Sequence, residues 1–110
     1  MDITREKKID LFEIYRGLLA DKQQEYFRLY YLEDWSLGEI ASYYNISRQA
    51  VLAAVENAIS NLKTYENKLK LLDKKKEYRK NIKRLENAVK SKKKNKQILD
   101  IIKELRSIYV

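Results

Sequence analysis

The sequence predicts an all-α fold, a helix-turn-helix bundle carrying a basic helical extension at its C-terminal end. Three observations predict it. The 110 residues include no proline and only two glycines, Gly17 and Gly38, whereas strand-rich folds need turn residues roughly every 8–12 positions. Charged residues make up 36% of the chain and are interleaved with Leu, Ile, Tyr and Ala, the mixture of helices that bury one face. Hydroxyl and carboxylate residues stand just ahead of several apolar runs, where they accept hydrogen bonds from the unpaired amides of a helix start.

In chain order, Thr4 caps a first helix with Glu6 in its first turn, and Ile9, Leu11, Phe12, Tyr15, Leu18 and Leu19 give it a broad apolar face. Asp21 is expected to cap a second helix, with Gln24 three residues on and Tyr26, Phe27, Leu29, Tyr30 and Leu32 at helical spacing. Glu33-Asp34-Trp35 form a short connection. Ser36 caps a third helix, Glu39 occupies the reciprocal capping-box position, and Leu37, Ile40, Ala41 and Tyr44 turn inward. Asn45 interrupts the pattern, and Ser47 caps a fourth helix that runs past Tyr65. The pattern changes near Lys74. Leu71, Tyr78, Ile82, Leu85 and Val89 follow the alternating three-and-four spacing of a coiled-coil seam, Ser91 to Asn95 interrupt it, and Ile98, Ile101, Leu105 and Ile108 resume it. Two helices joined by a lysine-rich turn and one continuous helix both satisfy that pattern. The expected domains are a helix-turn-helix domain over residues 1–70 and a basic amphipathic tail over residues 71–110.

The helix-turn-helix lies at residues 37–54. Two helices crossing at about 90–120° through a short turn need a small residue at the crossing, which Ala41 supplies. The turn needs a residue that tolerates left-handed backbone, and Asn45 is the best substitute for glycine. Ile46 is expected to plug the corner, and Val51 with Val55 to hold the second helix against Ile40 and Tyr44. These features in register, rather than any one of them, identify the unit.

The second helix of such a unit offers its N-terminal outer face to DNA. Ser47, Arg48, Gln49 and Asn57 are the candidate contacts here: Arg48 suits a guanine edge or a phosphate, Gln49 an adenine, and Ser47 a phosphate. No cation occurs between Arg48 and Lys63, and Glu56 opposes phosphate. The same residues equally serve to cap and solvate a helix start.

The net charge of +8 is unevenly distributed: residues 1–65 carry 8 Lys/Arg against 10 Asp/Glu, and residues 66–110 carry 16 against 6. Phosphate neutralisation supplies most non-specific affinity for nucleic acid. The tail is therefore the stronger polyanion candidate, through Lys75, Lys76, Arg79, Lys80, Lys83, Lys92, Lys93 and Lys94, with a solvated lysine-rich helix face as the competing interpretation. Tyr78 and Tyr109 are the only aromatics there, so base stacking has little sequence support. Tyr26, Phe27, Tyr30 and Tyr31 read as core and dimer surface, and Trp35 as closing the core edge. Ile82, Leu85, Val89, Ile98, Ile101 and Leu105 would form the seam of a homodimer if the tail is an assembly device.

Composition bears on other function classes. Absence of cysteine removes disulfide and thiolate chemistry, and absence of histidine removes the commonest general base and metal ligand. The longest apolar run, Ala50 to Val55, is six residues, against roughly 20 for a membrane span, and residues 1–8 lead into no apolar signal core. A non-enzymatic, cytoplasmic protein with no metal, no cofactor and no membrane insertion is expected.

From Leu18 to Tyr65 the chain resembles region 4 of bacterial sigma factors, and more closely the YlxM-type family of small bacterial helix-turn-helix proteins. The resemblance is carried by Ala20-Asp21-Lys22-Gln23, Leu29-Tyr30-Tyr31-Leu32-Glu33-Asp34, Ser36-Leu37-Gly38-Glu39-Ile40-Ala41 and Ile46-Ser47-Arg48-Gln49-Ala50-Val51. Leu11-Phe12-Glu13-Ile14-Tyr15 ahead of Leu18-Leu19, the length and the helical tail fit as well. The resemblance implies a sigma region 4-like bundle. Genes of that family lie beside the gene of the signal recognition particle GTPase, which implies by association a role in that targeting pathway or its regulation, with the particle's RNA or protein as partner. Sigma region 4 tends to have further basic residues on its recognition helix where this chain has Leu52, Ala53 and Glu56, so DNA contacts carry over only to Ser47, Arg48 and Gln49. An accessory or regulatory protein of the signal recognition particle pathway is therefore expected, with a DNA-binding transcriptional regulator and a homo-oligomeric interaction module as alternatives.

Overall fold

The computed structural model describes residues 3–91 and 95–108, and every regular element among them is helical. The order is α1 (Arg5–Tyr15), a 3-10 turn (Arg16–Leu18), α2 (Asp21–Phe27) prolonged as a π-helix (Arg28–Leu32), α3 (Leu37–Tyr44), α4 (Arg48–Leu69), α5 (Leu71–Lys90) and α6 (Asn95–Ser107). The chain divides into two compact units, Met1–Lys70 and Leu71–Val110.

Local chemistry sets most helix starts in the first unit. Thr4 Oγ1 accepts from the Lys7 amide at 3.1 Å and opens α1. The start of α2 differs from expectation by one residue: Ala20 is the cap and Asp21 the first helical residue. Gln23 rather than Gln24 reaches back, its Oε1 accepting from the Ala20 amide at 3.4 Å, while the Gln24 side chain donates to the Leu19 carbonyl. Asp21 still favours the helix through the partial positive charge of its first turn. The apolar face of the first helix also needs correction. α1 ends at Tyr15, and the tighter 3-10 turn rotates Leu18 out to 56% exposure while Leu19 enters the core.

The core of the first unit is built on α4, which packs against α1, α2 and α3. Its buried residues Val51, Val55, Ala58, Leu62 and Glu66 recur in steps of three and four, one face of an α-helix. Phe12, Phe27, Ile40 and Val51 are fully enclosed, each contributing about 1.5–3 kcal/mol by burial. Phe12 stacks on Phe27 with ring centroids 4.4 Å apart, and Tyr31 continues the column at 4.6 Å from Phe27.

The π-helical end of α2 has no counterpart in the sequence pattern. There the Glu33 amide donates to the carbonyl of Arg28, five residues back, at 3.1 Å. Arg5 holds this end, donating to the Tyr31 carbonyl at 2.7 Å and to Asp34 Oδ1 at 3.2 Å. Asp34, in the expected connection, takes left-handed backbone with φ 58°.

In the second unit α5 and α6 are two separate helices packed on each other, which decides between the two forms the spacing left open. The face of α6 is as expected, with Ile101 and Ile108 buried and Ile98 and Leu105 half-buried. The face of α5 is not. Leu72, Asn81 and Ala88 are its buried residues, Ile82 and Leu85 are half-buried, and Leu71, Tyr78 and Val89 are exposed. A helix-to-helix contact accepts a small residue such as Ala88, and a polar one if it is satisfied. Asn81 Oδ1 accepts from Arg84 Nη1 at 2.8 Å, and Arg84 reaches on to Glu104 of α6.

Candidate nucleic-acid interface

The turn between α3 and α4 is assembled by hydrogen bonds that each residue type dictates. At the start of α3, Ser36 Oγ accepts from the Glu39 amide at 3.0 Å and Glu39 Oε1 accepts from the Ser36 amide at 3.0 Å, the reciprocal box that serves two otherwise unpaired donors. Hydrogen bonding to the carboxyl, from the Ser36 backbone first and from the Ser36 side chain second, holds Glu39 below its ordinary pKa. At the other end Asn45 adopts left-handed backbone, φ 55° and ψ 49°. That conformation lets the Ile46 amide fold back onto the Ala41 carbonyl at 3.0 Å, the wrap-around bond of a Schellman-type cap. Ser47 Oγ then accepts from the Ala50 amide at 3.0 Å and starts α4.

Ile40, Ala41 and Val51 are buried where the two helices meet. Ile46 departs from expectation: at 36% exposure it does not plug the corner. Its amide, not its side chain, closes the turn. Tyr44 is half-buried and lies edge-on to Tyr26 with centroids 5.1 Å apart. Withdrawal from water, then the neighbouring Glu25 carboxylate, then Tyr43 and Tyr26, push its phenol up to about 12.

Ser47, Arg48, Gln49, Ala53, Glu56 and Asn57 are exposed along the outer side of α4, with Leu52 half-buried among them. Gln49 and Asn57, with Ala53 and Glu56 between them at steps of three and four, share one open side of α4, whereas Ser47 and Arg48 are exposed at the helix start and point in other directions. In the second unit Lys76, Arg79, Lys80 and Lys83 are exposed on α5 and Lys75 is half-buried. Lys75, Arg79 and Lys83 follow at four-residue steps and form one stripe. Lys92, Lys93 and Lys94 lie outside the described residues.

Two aromatic features escaped the sequence pattern. Tyr43 is 70% exposed on α3 and meets Trp35 edge-to-face at 5.5 Å. Tyr78, assigned by spacing to a buried seam, is instead 41% exposed in a depression lined with Lys75, Arg79, Ile82, Lys83 and Glu86. Its cation neighbours at three before and one after were the available signal.

A family model described as "Putative helix-turn-helix protein, YlxM / p13 like" matches residues 3–104. The chain is 51% identical over 67 residues to the YlxM protein of Bacillus subtilis, covering 61% of each chain. It is 41% identical over 99 residues to a relative from a Geobacillus species, covering 89% of this chain and 90% of that one. A relative from Halalkalibacterium halodurans is 50% identical over 64 residues. The matched stretch spans 59% of that relative's length.

Proposed function

This chain belongs to the YlxM/p13-like helix-turn-helix family, and from that premise we propose that it is an accessory protein of the signal recognition particle pathway whose basic helices contact the particle's RNA. The segregation of charge carries the proposal. Residues 66–110 hold 16 of the 24 basic residues and 6 of the 16 acidic ones, and α5 displays Lys76, Arg79, Lys80 and Lys83 on its surface. Such a surface attracts a phosphate backbone and releases its counterions. The helix-turn-helix, by contrast, has Arg48 as the single cation between residues 48 and 62. The test is titration of the full chain against that RNA and, separately, the targeting GTPase, repeated with Lys76, Arg79, Lys80 and Lys83 changed to alanine. Micromolar or tighter RNA binding that the substitutions abolish is expected. Absence of binding to both would sink the proposal.

The exposure of Ser47, Arg48, Gln49 and Asn57 supports a second function, sequence-specific DNA binding by α4. Under it Arg48→Ala relaxes sequence preference, whereas alanine in place of tail lysines weakens all sequences alike and flattens the salt dependence. A selection from random DNA that enriches no motif counts against it.

A further inference from the structure

We infer that Trp35 and Tyr43 form an aromatic corner on α3 that receives an arginine side chain from a basic segment of a partner protein, with Glu39 as its counter-charge. This goes beyond the RNA-contacting function proposed above and does not depend on it. The two rings stand at 86° to one another with centroids 5.5 Å apart. Tyr43 also meets Tyr44 edge-on at 5.0 Å. With both contacts made it is still 70% exposed, and Trp35 is half-buried. Together with Ser36, Gly38, Glu39 and Ser42 they line an open depression.

Gly38 points to an occupant. Its backbone is not left-handed, and a Cβ built there would meet nothing nearer than Ser36 Oγ at 3.9 Å. Neither conformation nor packing asks for glycine at this position, and glycine weakens a helix relative to alanine. What its missing side chain does is keep the depression open.

Charge selects the occupant. α3 carries Glu39 and no Lys or Arg, while Glu33 and Asp34 just before it are paired with Arg28 and Arg5. Glu39 is exposed, and hydrogen bonding from Ser36 favours its ionised form. A phosphate is repelled here, and the Glu39 amide at the helix start is already taken by Ser36 Oγ. A guanidinium meets both features, since it stacks on aromatic rings, is weakly hydrated and pairs with a carboxylate. The chain's own basic part, residues 66–110, holds 13 Lys against 3 Arg, which favours a partner protein over a second copy as the source.

Trp35 is the only tryptophan of the chain, so its emission reports on the corner. The full chain is titrated with a tetra-arginine peptide, with tetra-citrulline as its uncharged isostere, and with a short oligouridylate. The parent is compared with Tyr43→Ala, Glu39→Gln and Gly38→Gln. Glutamine preserves the capping box, which accepts either residue, and circular dichroism and urea midpoints verify that each variant is folded. A saturable change with tetra-arginine and none with tetra-citrulline is expected. Tyr43→Ala should weaken binding about tenfold, and Glu39→Gln about threefold at low salt and less at high salt. Gly38→Gln should abolish binding without lowering the urea midpoint. No saturable response from the parent, or one that Tyr43→Ala leaves unchanged, overturns the inference. A response to oligouridylate in place of tetra-arginine makes the corner a base-stacking site and overturns it too. If sedimentation shows copies associating and Tyr43→Ala separates them, the corner is a contact between copies and the inference is refuted.

Discussion

The phenol of Tyr15 donates a 2.6 Å hydrogen bond to Oε1 of Glu66, across a separation of 51 residues, and both side chains are buried. It ties the end of α1 to the last turns of α4. Beside it the Tyr65 hydroxyl donates to the Leu18 carbonyl at 3.1 Å, and the Tyr15 and Tyr65 rings lie 6.0 Å apart. A buried carboxylate that loses a donor retains its desolvation penalty. Tyr15→Phe is therefore expected to cost about 1–3 kcal/mol, read as a lower urea midpoint at unchanged slope. A midpoint within error of the parent would show that Glu66 does not depend on this bond.

The capping box of α3 yields a prediction on the acid side. Ser36→Ala is expected to cost about 1 kcal/mol. Glu39 has a folded pKa below the ordinary glutamate value, so its contribution is complete above the unfolded value and is lost as pH falls through the lowered one. Urea midpoints taken between neutral and acid pH should fall more steeply for the parent than for Glu39→Gln. Parallel curves would contradict the assignment.

Asn45 and Lys70 both hold left-handed backbone, with φ 55° and 54°. Each non-glycine residue there is strained, least for asparagine. Lys70→Gly is expected to raise stability by up to about 1 kcal/mol and Asn45→Gly to be neutral or slightly stabilising, while Asn45→Val costs about 1–2 kcal/mol. Thermal unfolding checks the order; an Asn45→Val protein as stable as the parent would mean that the turn had rearranged.

Tyr44 sets a prediction on the alkaline side. Its phenol is raised from 10.0 to about 12, so between those values the folded chain keeps a proton that the unfolded chain releases. Its contribution to stability is fully present below pH 10 and declines as pH rises toward 12. Difference absorbance of the phenolate, parent minus Tyr44→Phe, should show one tyrosine titrating late. A lost titration near 10 would show that Glu25 and burial exert no hold on it.

Cap chemistry was legible in the sequence because it is local: Thr4, Ser36 with Glu39, Asn45 and Ser47 need only their own next few amides, and all four occupy the expected positions. On α4, helical spacing gathers Gln49, Ala53, Glu56 and Asn57 on one side, while the exposure of Ser47 and Arg48 comes from their place at the helix start. What periodicity missed depends on changes of helical pitch and on partners. The 3-10 turn reverses the fates of Leu18 and Leu19, and the π-helical turn at Arg28–Leu32 obeys neither period. On α5 an apolar pattern nominated Tyr78 and Val89, whereas the packed face uses Asn81 and Ala88, residue types that hydropathy does not single out. Ile46 was assigned by its side chain to a task its backbone performs.

The dependence of α1, α2 and α3 on α4 has a consequence for synthesis. These helices are 11, 7 and 8 residues long, below the roughly 12–15 at which an isolated helix holds. Each leaves the ribosome before the helix it packs against exists. The first unit is thus expected to fold late, in one step set by the emergence of α4, while α5 meets its neighbour α6 soon after both are made. Stalled nascent chains should stay protease-sensitive until about Leu69 has cleared the exit tunnel; protection gained while α4 is still inside it would rule this order out.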